Sequence, residues 1–161
     1  MSKVTLLVEK LDNFKKVESI LKKDLSLEYK TKGSVAFDLI AAIPEMIRIS
    51  IGDTVLIPTG IKVVVPEGYS LQVTSRSSAV KTGLMLVNGV GIIDQDYRGE
   101  LFLAIARPVG GLSGNKTYIR IQPGDRLAQA SLVKVSIADF EYGTVENNTD
   151  RGEGGFGSTG K

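Results

Sequence analysis

From residue 35 to residue 135 the chain reads as β throughout, and that pattern limits its folds more than any other feature. Short apolar or alternating runs fall at 35–39, 47–51, 54–57, 61–65, 71–74, 84–87, 101–106, 118–122 and 127–135. Pro44, Gly52-Asp53, Pro58, Pro66 to Gly68 and Pro123-Gly124 separate them. Proline lacks the N–H that a ladder needs, and glycine adopts backbone angles that other residues avoid, so both mark turns. Many short strands with a turn every eight to twelve residues or so predict an all-β sandwich or barrel.

Ahead of this block, residues 4–8 read as one more strand. Residues 12–24 are the one good helix candidate, with Asp12 or Asn13 as its cap. Phe14, Val17, Ile20 and Leu21 recur at helical spacing with lysines between them. An amphipathic helix packed on the body explains that pattern; a partner-binding helix is the other reading. Residues 107–116 are a Gly-rich loop. After Tyr142 the chain turns polar through Asn147, Asn148 and Asp150. The expected organisation is one β domain over 1–146 and a flexible arm over 147–161, with no internal repeat.

The 161 residues suffice for one domain with a real core. A hydrophobic content of 42% and a mean hydropathy of +0.07 fit neither a disordered nor a membrane-spanning chain. The N-terminus turns charged at Glu9 and Lys10, unlike a signal peptide, so a cytoplasmic location is expected, the host cytoplasm if the protein is viral. A net charge of +2 gives no argument for a nucleic-acid partner. The chain has no cysteine and no histidine, which removes thiol nucleophiles, Ser-His-Asp triads, disulfides and Cys/His zinc sites. Catalysis must then use carboxylates, hydroxyls, amides, Lys or Arg. A metal must be a hard cation bound through oxygen, and Mg²⁺ is the expected one.

The last eleven residues carry Arg151, Phe156, Ser158 and Thr159 on five glycines, Gly157 among them. Such a segment builds no core, because glycine loses the most backbone freedom on ordering and buries no side chain. It is either a disordered tail or an arm that orders on a ligand. Its contents favour the arm: Phe156 can cover a flat ring, Arg151 can pair with an anion, and the hydroxyls and glycine amides can surround phosphate oxygens. A flat ring joined to phosphates is a nucleotide.

Three further segments hold candidate chemistry. Asn88-Gly-Val-Gly-Ile-Ile-Asp-Gln-Asp-Tyr-Arg-Gly is an acidic, Gly-flanked turn that reads, with 101–106, as a hairpin. Small residues there let backbone donors and acceptors meet a flat ligand, and Asp94 and Asp96 share a face if extended. An ordinary acidic turn would look the same. Ser75-Arg-Ser-Ser suits an anion cradle, and equally a helix cap or surface turn. Gln129 is polar in an apolar strand, as a satisfied core amide often is. Two decoys fail. Gly155 to Lys161 begins like a P-loop but has neither the following Ser/Thr nor a helix, and Gly89-Val-Gly91 lacks the third glycine and βαβ setting of a dinucleotide fold.

Five segments in order, Ser34-Val-Ala-Phe-Asp-Leu, Ser75-Arg-Ser-Ser, Asn88 to Glu100, Gly124 to Gln129 and Arg151 to Gly160, closely resemble those of the trimeric dUTPases. The third and fifth, Gly-Ile-Ile-Asp-x-Asp-Tyr-Arg-Gly and Arg-Gly-x-Gly-Gly-Phe-Gly-Ser-Thr-Gly, are the specific ones. The chain departs from the family at Ala36, usually glycine, at Ser75, usually proline, and in a longer 107–116 loop.

The resemblance implies a jelly-roll-like β domain in a homotrimer, with active sites shared between subunits and the arm closing a neighbour's site. It implies hydrolysis of dUTP to dUMP and pyrophosphate, which limits uracil in DNA and supplies dUMP for dTMP synthesis. Asp94 matches the carboxylate that orients and deprotonates the attacking water. Asn88, Gly91, Ile92, Ile93, Tyr97, Phe102 and Phe156 would take uracil and deoxyribose. Arg76, Ser77, Ser78, Gln129, Arg151, Gly157, Ser158 and Thr159 would take the phosphates. Asp38 would hold Mg²⁺ through a water, or serve only as a turn or cap carboxylate. A dCTP deaminase, alone or bifunctional, shares the fold and the Arg-Ser-Ser segment, but its glutamate motif has no match here. A dUTP-responsive regulatory protein, with a partner at the 107–116 loop or the 12–24 helix, is the rival from another class.

Overall fold

The computed structural model describes residues 3–109 and 117–155. The candidates Phe156, Gly157, Ser158 and Thr159, and most of the 107–116 loop, lie outside the described residues. In chain order the elements are β1 (Leu7–Lys10), α1 (Asp12–Leu21), β2 (Phe37–Ile40), β3 (Ile47–Ser50), β4 (Thr54–Pro58), β5 (Ile61–Val64), β6 (Tyr69–Ser75), α2 (Ala79–Thr82), β7 (Met85–Leu86), β8 (Val90–Ile93), β9 (Phe102–Ala106), β10 (Tyr118–Ile121) and β11 (Arg126–Lys134). The expected all-β, jelly-roll-like fold is the one found.

Among the described residues four sheets form, ordered β2-β11-β6-β8, β4-β9-β7, β1-β5 and β10-β3, and their pairings are antiparallel. Most sheet neighbours are distant in sequence. Alternation along each strand sends one set of side chains inward. Leu39, Ile49, Ile57, Ile61, Val63, Leu71, Leu103, Ile105 and Ile121 thereby meet in one buried cluster with Ala128 and Ala130. Burying each large aliphatic side chain stabilises by about 1.5–3 kcal/mol, more than any surface ion pair here provides.

The expectations differ from the structure in four places. The first strand lies at Leu7–Lys10 and not at 4–8, because pairing with β5 defines this edge strand, down to Lys10 opposite Ile61. Helix α1 ends at Leu21, where Lys22 takes a left-handed conformation (φ 49°) that stops the helix before residue 24. Only Phe14 and Val17 of its apolar residues are buried, while Ile20 and Leu21 stay exposed. Its cap position is Leu11, with no side-chain cap, so neither Asp12 nor Asn13 caps it. Helix α2 is too short, at four residues, to show a period in the sequence.

The fourth difference concerns the 88–102 segment, which is not a paired hairpin. β8 joins β6 in the four-stranded sheet, whereas β9 pairs with β4 and β7 in the three-stranded one. Residues 94–101 therefore form a corner between two sheets. Among the described residues, no helix is long and apolar enough to cross a membrane.

Gly60 links α1 to the β4–β5 turn. Its φ is +70°, and a Cβ there would stand 2.7 Å from Phe14 Cβ and 2.8 Å from Ala42 Cβ. Only glycine permits this approach. Its carbonyl accepts from Leu11 N (2.8 Å), which ties the helix entrance to the turn.

Candidate active site

The polar cluster grows from the order β2-β11-β6. In β11, Gln129 stands opposite Asp38 of β2 on one side and Thr74 of β6 on the other. Arg76 follows the end of β6 and Arg126 begins β11. Arg76 Nε donates to Asp38 Oδ1 at 2.6 Å, and Arg126 Nη1 donates to Asp38 Oδ2 at 3.1 Å. Arg76 Nη1 also donates to Ser78 Oγ at 3.0 Å. Gln129 Nε2 donates to Ser75 O at 3.3 Å, so the amide is satisfied within the sheet. Ser78 precedes α2 but does not cap it through its side chain. Its hydroxyl positions the guanidinium, which favours the anion-cradle reading of the segment. Ser77 is exposed beside it.

One carboxylate between two guanidiniums leaves a surplus of positive charge. Arg76 and Arg126 meet Arg120 of β10 around a cleft of about 270 Å³, whose only carboxylate among the described lining residues is Asp125. Asp125 Oδ2 accepts from Gln122 N (2.8 Å). Such a cleft suits an anion with several oxygens. Sequence reasoning missed Arg120 and Arg126. The Gly124–Gln129 segment contained Arg126, but its place beside Asp38 depends on a pairing of distant strands.

The second cluster lies along β8 and the corner that follows. Gly91 is buried against β6, where a Cβ would lie 3.2 Å from Asn88 Nδ2 and 3.4 Å from Val73 Cβ. Asn88 and Ile92 are exposed and Ile93 is half-buried, so this strand presents backbone and small surface. Asp94 begins a turn that Tyr97 N closes onto Asp94 O (3.3 Å). Asp96 lies within that turn, so the extended arrangement expected for the two aspartates is absent. Arg98 Nη1 donates to Gln95 O (2.6 Å) and Tyr97 O (2.9 Å), and Tyr97 Oη donates to Glu100 O (2.8 Å). Gly99 makes room for the phenol, since a Cβ there would fall 2.4 Å from Tyr97 Oη. Asp94 is exposed, and among the described residues its carboxylate has no hydrogen-bond or ion-pair partner. Phe102, half-exposed on β9 opposite Pro58, belongs to the other sheet.

Within one chain the two clusters do not converge on a point. Thr74, next to the Arg76 end of β6, pairs with Val90, whereas Leu71 pairs with Ile93 beside Asp94. Five residues of strand separate the two ends, about 17 Å at 3.3–3.4 Å per residue. Arg151 folds locally, its Nε donating to Gly154 O (2.9 Å) in an exposed turn.

The acidic side chains build no metal cage: among the described residues, no group of three or more Asp or Glu could hold an ion. Asp38 already has both oxygens on guanidiniums. The donor set therefore fits Mg²⁺ only where other ligands supply most of the coordination sphere.

The sequence model of the dUTPase family matches residues 25–160. Deoxyuridine 5'-triphosphate nucleotidohydrolase of Fusobacterium nucleatum subsp. nucleatum is 40% identical over 135 residues, covering 83% of this chain and 88% of that protein. The enzyme of the same name from Chlamydia caviae is 45% identical over 138 residues, covering 83% and 90%. A mutant dUTPase of Staphylococcus bacteriophage 80alpha, solved with dUpNHpp, superimposes with a TM-score of 0.79 at 25% identity, over 99% of this chain and 100% of that one.

Proposed function

The chain belongs to the dUTPase family, and on that premise we propose how it hydrolyses dUTP to dUMP and pyrophosphate. The exposed Asp94 carboxylate, with no internal partner among the described residues, carries the reading. A carboxylate not committed to the fold can accept a proton from water at neutral pH. The water attacks the α-phosphorus, the bond to the bridging oxygen of the β-phosphate breaks, and pyrophosphate leaves. No covalent intermediate forms, and catalysis rests on positioning and charge stabilisation.

The uracil edge lies along the backbone of Gly91, Ile92 and Ile93, with the Asn88 amide beside it. Cytosine reverses part of the hydrogen-bond pattern of uracil, which leaves buried groups unpaired at about 1–3 kcal/mol each. The tight strand leaves no space for the methyl of thymine. Tyr97 walls the deoxyribose and excludes a 2′-hydroxyl, and Phe102 completes the pocket. Arg76, Ser77, Ser78 and Gln129 hold the phosphates. Arg151 with Phe156, Gly157, Ser158 and Thr159 closes the site.

The separation of about 17 Å between the Asp94 and Arg76 ends of β6 supports a homotrimer, in which one subunit supplies the nucleoside cluster and a neighbour the phosphate cradle. Asp38 would hold Mg²⁺ only through a water, and the metal would supply neutralisation of charge on the triphosphate. A cytoplasmic location, the host cytoplasm if the protein is viral, goes with this reading. A regulatory partner at the 107–116 loop would bind largely outside the described residues.

The test is pyrophosphate release from dUTP, UTP, dCTP and dTTP by the intact protein and by Asp94→Asn. Asp94→Asn should lose turnover on dUTP by about 10²–10⁴-fold while still binding a non-cleavable dUTP analogue. Near-normal turnover in that variant removes Asp94 from the role of base.

A further inference from the structure

Glu100 is a half-buried carboxylate with no cationic partner among the described residues. Its Oε1 accepts instead from two neutral donors, Asn13 Nδ2 of helix α1 at 2.7 Å and the Gly60 amide at 2.8 Å. Desolvating a carboxylate without a counter-charge is costly; the two bonds offset that cost and hold the side chain in one place. The same residue offers its backbone carbonyl to Tyr97 Oη at 2.8 Å. The following residue is held as firmly. Leu101 N donates to Ile61 O (2.9 Å), and Leu101 O accepts from Thr59 N (3.0 Å) and Thr59 Oγ1 (2.7 Å).

We propose that Glu100 is a positioning residue for sugar selection. Its side chain, clamped by Asn13 and Gly60, acts with the Leu101 N–H of the same peptide unit, held by Ile61 O, to fix the carbonyl that holds Tyr97 upright, so helix α1 helps set the dUTP-over-UTP preference. The proposal rests on Tyr97 as the deoxyribose wall. Steric discrimination by a ring depends on the ring being unable to yield. Tyr97 is exposed on one side and sits on a glycine on the other, so its phenol bond is its main restraint. The clamp is also remote in sequence: Asn13 and Glu100 are 87 residues apart, and Asn13 lies before the matched family segment of 25–160.

The experiment compares kcat/KM for dUTP and UTP in the full-length protein and in Glu100→Ala, Glu100→Gln, Asn13→Ala, Tyr97→Ala and Tyr97→Phe. Glu100→Ala should lower the dUTP/UTP ratio by about three- to tenfold, the scale of one lost hydrogen bond, with KM moved more than kcat. Glu100→Gln keeps an oxygen that accepts from both donors and should restore the ratio. Tyr97→Phe, which removes the phenol and keeps the ring, should match Glu100→Ala, and the double variant should fall no further. An unchanged ratio in Glu100→Ala, or Glu100→Gln behaving like Glu100→Ala, overturns the relay. If Glu100→Ala does not fold, Asn13→Ala decides: a fall of about two- to threefold supports the relay, and an unchanged ratio overturns it. If Tyr97→Ala itself leaves the ratio unchanged, the sugar-wall reading fails and takes the relay with it.

Discussion

Asp38 and Arg76 meet across an intervening strand: Oδ1 of the one lies 2.6 Å from Nε of the other, although β11 runs between β2 and β6. With its second oxygen on Arg126, Asp38 aims two guanidiniums at the same cleft. Removing its charge frees both. Asp38→Asn should raise KM for dUTP by about tenfold, with a smaller change in kcat, because on the proposed function the pair would position phosphate and touch no transferring proton. Steady-state kinetics across a range of dUTP concentrations checks this. An unchanged KM means Arg76 keeps its orientation without the carboxylate.

The distance between the Asp94 and Arg76 ends of β6 makes a stronger demand. Asp94→Asn and Arg76→Ala chains should each be inactive alone. Refolded together in equal amounts, they should regain activity, because in a symmetric trimer about one site in four draws both intact residues from different chains. Activity that stays at background after verified mixing places both groups in one subunit.

Gly60 bears on stability. An added Cβ meets Phe14 and Ala42 at 2.7–2.8 Å in a left-handed backbone. Neither neighbour can move far within a packed core. Gly60→Ala should destabilise by about 2–4 kcal/mol, through strain and overpacking together. Urea denaturation followed by circular dichroism measures the shift. The Glu100 contact to the same amide predicts that any Gly60→Ala protein that folds also loses dUTP/UTP selectivity.

Glu18 predicts a pH dependence. Its carboxylate is held below the ordinary glutamate range, first by Lys10 Nζ (2.7 Å) and then by the Leu25 amide (2.8 Å). Because the folded value is the lower one, its stabilisation is complete above the unfolded value of about 4.3. It is lost as pH falls through the folded value. The Leu25 amide resonance should therefore stay constant from neutral pH down to about 4.3 and shift below it. In Glu18→Gln that shift should disappear.

Most strands were legible in the sequence because alternation reports burial directly, as at 61–65 and 101–106. Partners were not, because burial does not say which strand lies alongside. The apolar runs around Val90 and Phe102 look like two arms of a hairpin, yet each finds its ladder in a different sheet. Arg126 escaped notice for the same reason, since its contact with Asp38 spans 88 residues. Lys22 ends α1 by backbone conformation, for which a lysine gives no signal. The roles proposed for Asp94 and Tyr97 rest on the family resemblance of their segment; spacing alone leaves an ordinary acidic turn equally open. In the sequence Asn13 is, with Asp12, one of two cap candidates, and its donation to Glu100 depends on the fold.

The corner at 94–101 joins two sheets that share one interior. A substitution beneath either sheet, such as at Leu71 or Leu103, should tilt one wall of the proposed nucleoside pocket relative to the other without approaching the ligand. A genetic screen for relaxed nucleotide choice should therefore recover changes deep in the hydrophobic interior as well as around the rim. Tuning which triphosphate is accepted then becomes a problem of repacking as much as of contact chemistry.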